Sequence, residues 1–203
     1  VLEGEAAGFA RRSGFLEGGR LLAERGLTFD ACVAHHQLPE VAALADAVPD
    51  LDIILDHLGK PAVGSAAHPA DPRGSAWYRD LFDLARRPSV SIKLSGLPAE
   101  SDGPWTPAQI KPFLDAALDA FGLDRLVYGG DWPVSERQHP HLWLEAVGAW
   151  ALDRLGPAGR DAVLSGNAER FYFTSTGRRR RPDTPPSTSS TVPVVDPDSG
   201  LTR

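Results

Sequence analysis

Two short runs carry groups that could move a proton. Asp56-His57 follows the apolar run Ile53-Ile54-Leu55, and Asp131 follows Leu126-Val127-Tyr128-Gly129-Gly130, whose two glycines let the backbone come close to whatever Asp131 serves. A histidine and an aspartate that converge on one mouth can hold a divalent metal ion, zinc or manganese, or can orient and deprotonate a water without one. Each residue also has a plainer role open to it. A histidine after a buried strand is often a hydrogen-bonded core residue, and an aspartate after glycines is often a turn or helix cap.

Lysine occurs only at 60, 93 and 111, and Lys93 lies inside the apolar run Ser91-Ile92-Lys93-Leu94-Ser95. Lysine is rare in buried strands. Near a catalytic mouth it could hold a substrate oxygen, or it could pair with a neighbouring acid. Trp132, next to Asp131, is a second candidate for substrate contact. His35-His36 adds one more at most, because consecutive residues on a strand point to opposite faces; His36 is the preferred one. His139-Pro140-His141 imitates a metal-binding histidine pair, but it follows the last apolar run and its proline disfavours a paired strand, which predicts a solvated loop.

The elements that must position these groups alternate. Strands are predicted over Leu27 to Ala34, Leu51 to His57, Val90 to Ser95 and Arg125 to Gly129, each mostly apolar, as buried parallel strands are. Helices are predicted over Arg11 to Arg25, Leu38 to Ala47, Trp77 to Arg86, Thr106 to Phe121 and Leu142 to Leu155, with a short one at Asn167 to Phe173. The fourth helix has the clearest start: Thr106 as cap, Pro107 at the first position and Gln109 closing a capping box. This alternation is that of βα units around a parallel sheet, in which reactive residues gather at the carboxyl ends of strands. An open doubly wound ligand-binding domain would want a glycine-rich phosphate loop after its first strand, and none is visible. From Gly177 onward the chain is rich in Arg, Pro, Ser and Thr, so residues 175–203 are predicted to be a disordered tail following a domain over residues 1–174.

At 203 residues, 42% hydrophobic and 24% charged, the composition is that of a soluble globular protein. The net charge of -6 argues against a nucleic-acid partner, and no apolar run approaches the roughly 20 residues of a membrane-crossing helix. Cys32 is the single cysteine, so no intrachain disulfide can form, and a cytoplasmic location is the expectation. The chain contains no methionine and opens on Val1-Leu2-Glu3, which predicts that an N-terminal portion is missing.

Seven blocks taken together resemble a known family. They are Leu27-Thr28-Phe29-Asp30; Gln37-Leu38-Pro39; Pro49-Asp50-Leu51 running into Leu55-Asp56-His57-Leu58-Gly59-Lys60-Pro61; Lys93-Leu94-Ser95-Gly96-Leu97; Tyr128-Gly129-Gly130-Asp131-Trp132-Pro133-Val134; and Gly166-Asn167-Ala168-Glu169-Arg170-Phe171-Tyr172. In this order they are similar to the amidohydrolase-related barrel hydrolases that include the L-fuconolactone, L-rhamnonolactone and 2-pyrone-4,6-dicarboxylate lactonases. The resemblance implies an α/β fold: a partial (β/α)8 TIM-type barrel containing the last four βα units. It further implies that His57 is the sixth-strand histidine and that Asp131 is the eighth-strand aspartate, acting as general base on the hydrolytic water. The first strand, with its histidine-x-histidine motif, and the strands after it have no counterpart, so the resemblance implies that the polarising half of the site is missing. The implied function is hydrolysis of a small-molecule lactone, with catalytic Asp131 and His57, substrate contacts from Lys93, Trp132 and His36, and His57 and Asp131 as ligands to a divalent metal in those members that use one. With only those two ligands, metal would bind weakly. The rival implication is a catalytically inactive half-barrel that serves as a binding or interaction module and pairs with another copy to cover its open sheet edge.

Overall fold

The structure, a computed structural model, describes residues 2–134 and 140–174. Four parallel strands, β1 (Phe29–Ala31), β2 (Ile53–Leu55), β3 (Val90–Leu94) and β4 (Leu126–Tyr128), lie side by side in chain order. Helices α1 (Ser13–Glu24), α2 (Leu38–Ala47), α3 (Ala76–Leu84), α4 (Pro107–Phe121) and α5 (Pro140–Asp161) precede, separate and follow them. The chain ends in a wide-wound stretch over Ala162–Gly166, one α-turn at Asn167–Glu169 and a second wide-wound stretch at Arg170–Thr174. The expected tail lies outside the described residues. None of the helices described is long and apolar enough to cross a membrane.

Every strand is shorter than its apolar run. The run Leu51 to His57 yields only Ile53–Leu55, because the chain leaves the ladder at Asp56 and turns through left-handed backbone at His57 (φ 53°) and Leu58 (φ 51°). Hydrophobicity marks what is buried, whereas a ladder needs continuous pairing, and the two part company where strands open into loops. His35 and His36 are likewise not on a strand: with Gln37 they form a single 3-10 turn, so the expected alternation of their side chains does not apply. Pro140 and His141 are not in a loop but open α5, since proline lacks the amide hydrogen that the first turn leaves unpaired anyway; His139 lies outside the described residues. The start of α4 is as expected, with Thr106 and Gln109 each bonding the other's backbone amide.

The helices cover one face of the sheet. Ala31, Ile53, Leu55, Val90, Ile92, Leu94 and Leu126 all join the core formed with Leu38, Leu44, Trp77, Leu81, Phe113 and Trp143. Because side chains alternate across a strand, the residues between them face the other way. Asp30 is in register with Ile54, Ile54 with Ser91, and Lys93 with Val127, so this second face carries charge among apolar neighbours.

The amino ends of the strands are tied by two polar side chains. Arg125 donates through one guanidinium nitrogen to the carbonyls of Ala85, Arg87 and Val90 at 2.9 to 3.0 Å, and through Nε to Phe121. Buried Asn167 donates to the carbonyls of Leu123 and Leu126, which anchors the final segment beneath β4.

Candidate active site

At the carboxyl ends of the strands the loops after β2, β3 and β4 meet. His57 Nε2 lies 3.6 Å from Asp131 Oδ1, and both side chains are more than four-fifths buried. Both residues hold left-handed backbone conformations, as do Leu58 and Lys60, and these four are the non-glycine residues with positive φ among those described. Such conformations cost about 1 kcal/mol or more each and persist where the surrounding packing imposes them. Gly96 is part of that packing. Its own φ is 71°, and a methyl group there would sit 2.6 to 2.8 Å from the His57 ring, so only glycine leaves the ring its place.

The ring is held from behind by Ser95, whose Oγ is 2.8 Å from Nδ1 and also accepts the His57 backbone amide at 3.3 Å. Burial holds the His57 imidazole below the ordinary histidine range, against the pull of Asp131 and Asp56. The ring is therefore neutral at pH 7 and able to act as a hydrogen-bond partner or ligand.

Lys93 stands on the second face of the sheet, 2.7 Å from Asp30 Oδ2 and 2.6 Å from Asp56 Oδ1. The contact with Asp56 is off the direction a hydrogen bond takes, and that buried oxygen has no other partner among the described residues. Burial opposes the lysine's charge, but the two aspartates beside it outweigh burial, Asp30 as a hydrogen-bond acceptor and Asp56 through its charge, so the ammonium lies above the ordinary lysine range. Tyr172 completes the group, donating to Asp30 Oδ2 at 2.8 Å with its ring beside Lys93. Burial first, and then the bond to Asp30, push the Tyr172 phenol up to about 12.

A cleft of about 340 Å³ is lined by Asp56, His57, Lys93, Asp131, Trp132 and Tyr172 among others. Four of the residues named from sequence thus share one cavity. Trp132 is 71% exposed at its rim. His36 does not line it: it lies exposed in the turn after β1, edge to face with His35, whose Nδ1 meets the Lys60 carbonyl at 3.2 Å. A larger cleft of about 560 Å³ between α4 and α5 is walled by Trp105, Ile110, Leu114 and Trp150, but its charged groups, Lys111 and Glu145, face no nucleophile or histidine there. The smaller cavity is the one lined by a histidine and aspartates that could move a proton.

Sequence reasoning missed Ser95, Asp30, Tyr172 and Cys32. Cys32, Asp56 and His57 each offer a ligand atom within 4.8 Å of the others, a donor set that fits a divalent cation. Burial raises the Cys32 thiol above its ordinary range, while nearby Lys60 works the other way. The spacing of these three residues along the chain follows no metal-binding motif; they meet because β1 and β2 end side by side.

Residues 5–174 match the amidohydrolase family. The chain belongs to that family. It is 39% identical over 153 residues to an L-fucono-1,5-lactonase of Burkholderia ambifaria, covering 72% of this chain and 50% of the relative. A second L-fucono-1,5-lactonase, from Burkholderia multivorans, is 35% identical, with 84% of this chain and 59% of the relative covered. Among solved structures, this amidohydrolase chain is similar to a crystal structure of an amidohydrolase from Burkholderia multivorans with bound zinc (TM-score 0.76, 35% identity), covering 84% of this chain and 62% of that one. The likeness to a putative 2-pyrone-4,6-dicarboxylic acid hydrolase from Pseudomonas putida (TM-score 0.66, 22% identity; 86% and 60% covered) shows the fold. The chain spans half to about three-fifths of the length of its curated relatives. Its four βα units are those of an amidohydrolase-type barrel.

Proposed function

We propose that this amidohydrolase chain supplies the base and the neutral histidine for hydrolysis of a sugar lactone of the L-fucono-1,5-lactone class. The observation that carries the reading is the convergence of His57 Nε2 and Asp131 Oδ1 at 3.6 Å in the cleft at the strands' carboxyl ends. The identity to two L-fucono-1,5-lactonases supports the choice of substrate. Asp131 takes a proton from water as the water oxygen attacks the lactone carbonyl carbon. When the ring C–O bond breaks, the same proton passes to the departing ring oxygen, giving an open hydroxy acid. The His57 ring faces the carbonyl oxygen, on which charge develops. Trp132 covers the mouth. The Lys93 ammonium, pinned by two aspartates, orients substrate hydroxyls at the cavity floor.

Cys32, Asp56 and His57, with Asp131 adjacent, would hold a divalent cation such as zinc. When bound, it would supply Lewis-acid polarisation of the carbonyl. Two lysines beside these donors, Lys60 and Lys93, make that binding weak in this chain.

The test is steady-state hydrolysis of a panel of aldonolactones, with and without chelator, by the chain completed with the N-terminal half of an L-fucono-1,5-lactonase relative. Lys93→Ala is expected to raise KM more than it lowers kcat, because an interaction made throughout the reaction disappears. An unchanged KM would remove Lys93 from the substrate site. No turnover of any lactone would overturn the reading.

A further inference from the structure

Ser95 is fully buried, and its hydroxyl meets two groups, both belonging to His57. A serine hydroxyl has one proton to give and two lone pairs to share. One lone pair takes the His57 backbone N–H. If the ring nitrogen Nδ1 also donated to Oγ, the hydroxyl proton would be left in a closed environment with no acceptor among the described residues, an arrangement that folded proteins avoid. If instead the hydroxyl donates to Nδ1, every group is matched. The proton of the neutral ring then resides on Nε2, the nitrogen that faces Asp131 and the cleft.

We propose that Ser95 is a positioning residue that fixes His57 as the Nε2–H tautomer, so that the ring presents a proton donor to the cavity rather than a lone pair. Gly96, the next residue, closes the other side by leaving room for the ring in this one orientation. The loop after β3 therefore sets both the place and the chemical face of a histidine carried by the loop after β2. A donor at Nε2 suits a carbonyl oxygen that gains negative charge. The identity of that acceptor rests on the lactonase reading; the tautomer does not. A cation at Nε2 would require the proton to move to Nδ1 and would leave the Ser95 hydroxyl unmatched, which adds a second reason for weak metal binding at this ring.

The experiment needs neither substrate nor metal. The full chain, labelled with 15N-histidine and held near pH 8, above the ordinary histidine range of about 6.5, is examined by long-range 1H–15N correlation, with His57→Gln identifying the resonances. Nε2 is expected to carry the proton. Nδ1 is expected to be bare, its resonance displaced by an accepted hydrogen bond. Ser95→Ala should shift Nδ1 to the position of an unbonded lone pair, whereas a merely structural serine would leave that resonance where it was. A proton on Nδ1 in the wild-type chain overturns the proposal, and so does an Nδ1 resonance indifferent to Ser95→Ala. Should Ser95→Ala fail to fold, the wild-type chain offers a second readout: a Ser95 hydroxyl proton that exchanges slowly with water and correlates with Nδ1 supports the proposal, and its absence counts against it. Failure of lactone turnover would leave all of these signals unaltered.

Discussion

The two ends of the sheet are built on opposite terms. At the amino ends, Arg125 and Asn167 bond six carbonyls between them, and neither residue has positive φ. At the carboxyl ends, His57, Leu58, Lys60 and Asp131 hold left-handed backbone, and a buried Asp56 oxygen has only an ion contact. One end is satisfied and unstrained. The other stores strain next to the groups proposed to transfer protons, as functional sites do. In barrel architectures the first end is where stability resides and the second is where chemistry is done.

The largest effect expected is at the satisfied end. Arg125→Ala removes a cation bonded to the carbonyls of Ala85, Arg87 and Val90 and should cost about 3 kcal/mol of unfolding free energy in urea titration, since bonds to a charged donor are the stronger kind. A loss under about 1 kcal/mol would mean that water replaces it freely, and the contrast between the ends would fail. Gly96→Ala probes the strained end. The left-handed backbone and the contact with the His57 ring together should cost about 2 kcal/mol and displace the ring, read as a changed His57 resonance alongside the stability loss. Unchanged stability and an unmoved ring would show that the packing against Gly96 does not hold His57.

A smaller effect appears at alkaline pH. The Tyr172 phenol, pushed up to about 12 first by burial and then by its bond to Asp30, ionises later than an ordinary tyrosine at about 10. Because the folded state keeps this proton more tightly than the unfolded state does, the contribution is fully present below pH of about 10 and is lost as pH rises towards about 12. Tyr172→Phe should flatten that alkaline decline in stability and remove the last phenolate absorbance step. A wild-type chain whose tyrosines all titrate together near the ordinary value would contradict it.

How much of this was legible in the residues differs between the same two regions. The apolar runs located all four strands, and Thr106 with Gln109 marked the start of α4, because burial and capping are written locally. The strand ends were not, since Asp56 to Lys60 leaves the ladder through backbone conformations that only tertiary packing imposes. His57, Lys93 and Asp131 stood out because charge is conspicuous at the end of an apolar run. Ser95 did not, for a serine at a strand end has many ordinary explanations, and its role depends on a ring 38 residues away. Tyr172 reaches Asp30 across 142 residues, a contact invisible to any local pattern. His36 was preferred on the assumption of strand alternation, and the 3-10 turn at His35–Gln37 removes that premise.

The central claim, that the strained end does the chemistry through Asp131, is tested most directly by Asp131→Asn in the completed barrel, measuring turnover of L-fucono-1,5-lactone and unfolding free energy on the same preparation. Asparagine tolerates left-handed backbone and keeps the shape, but cannot take a proton from water. Stability should hold or rise by a few tenths of a kcal/mol, while kcat falls by about a hundredfold or more, the scale of a lost general base. Undiminished kcat in Asp131→Asn would remove the base, and with it the assignment of this end of the sheet.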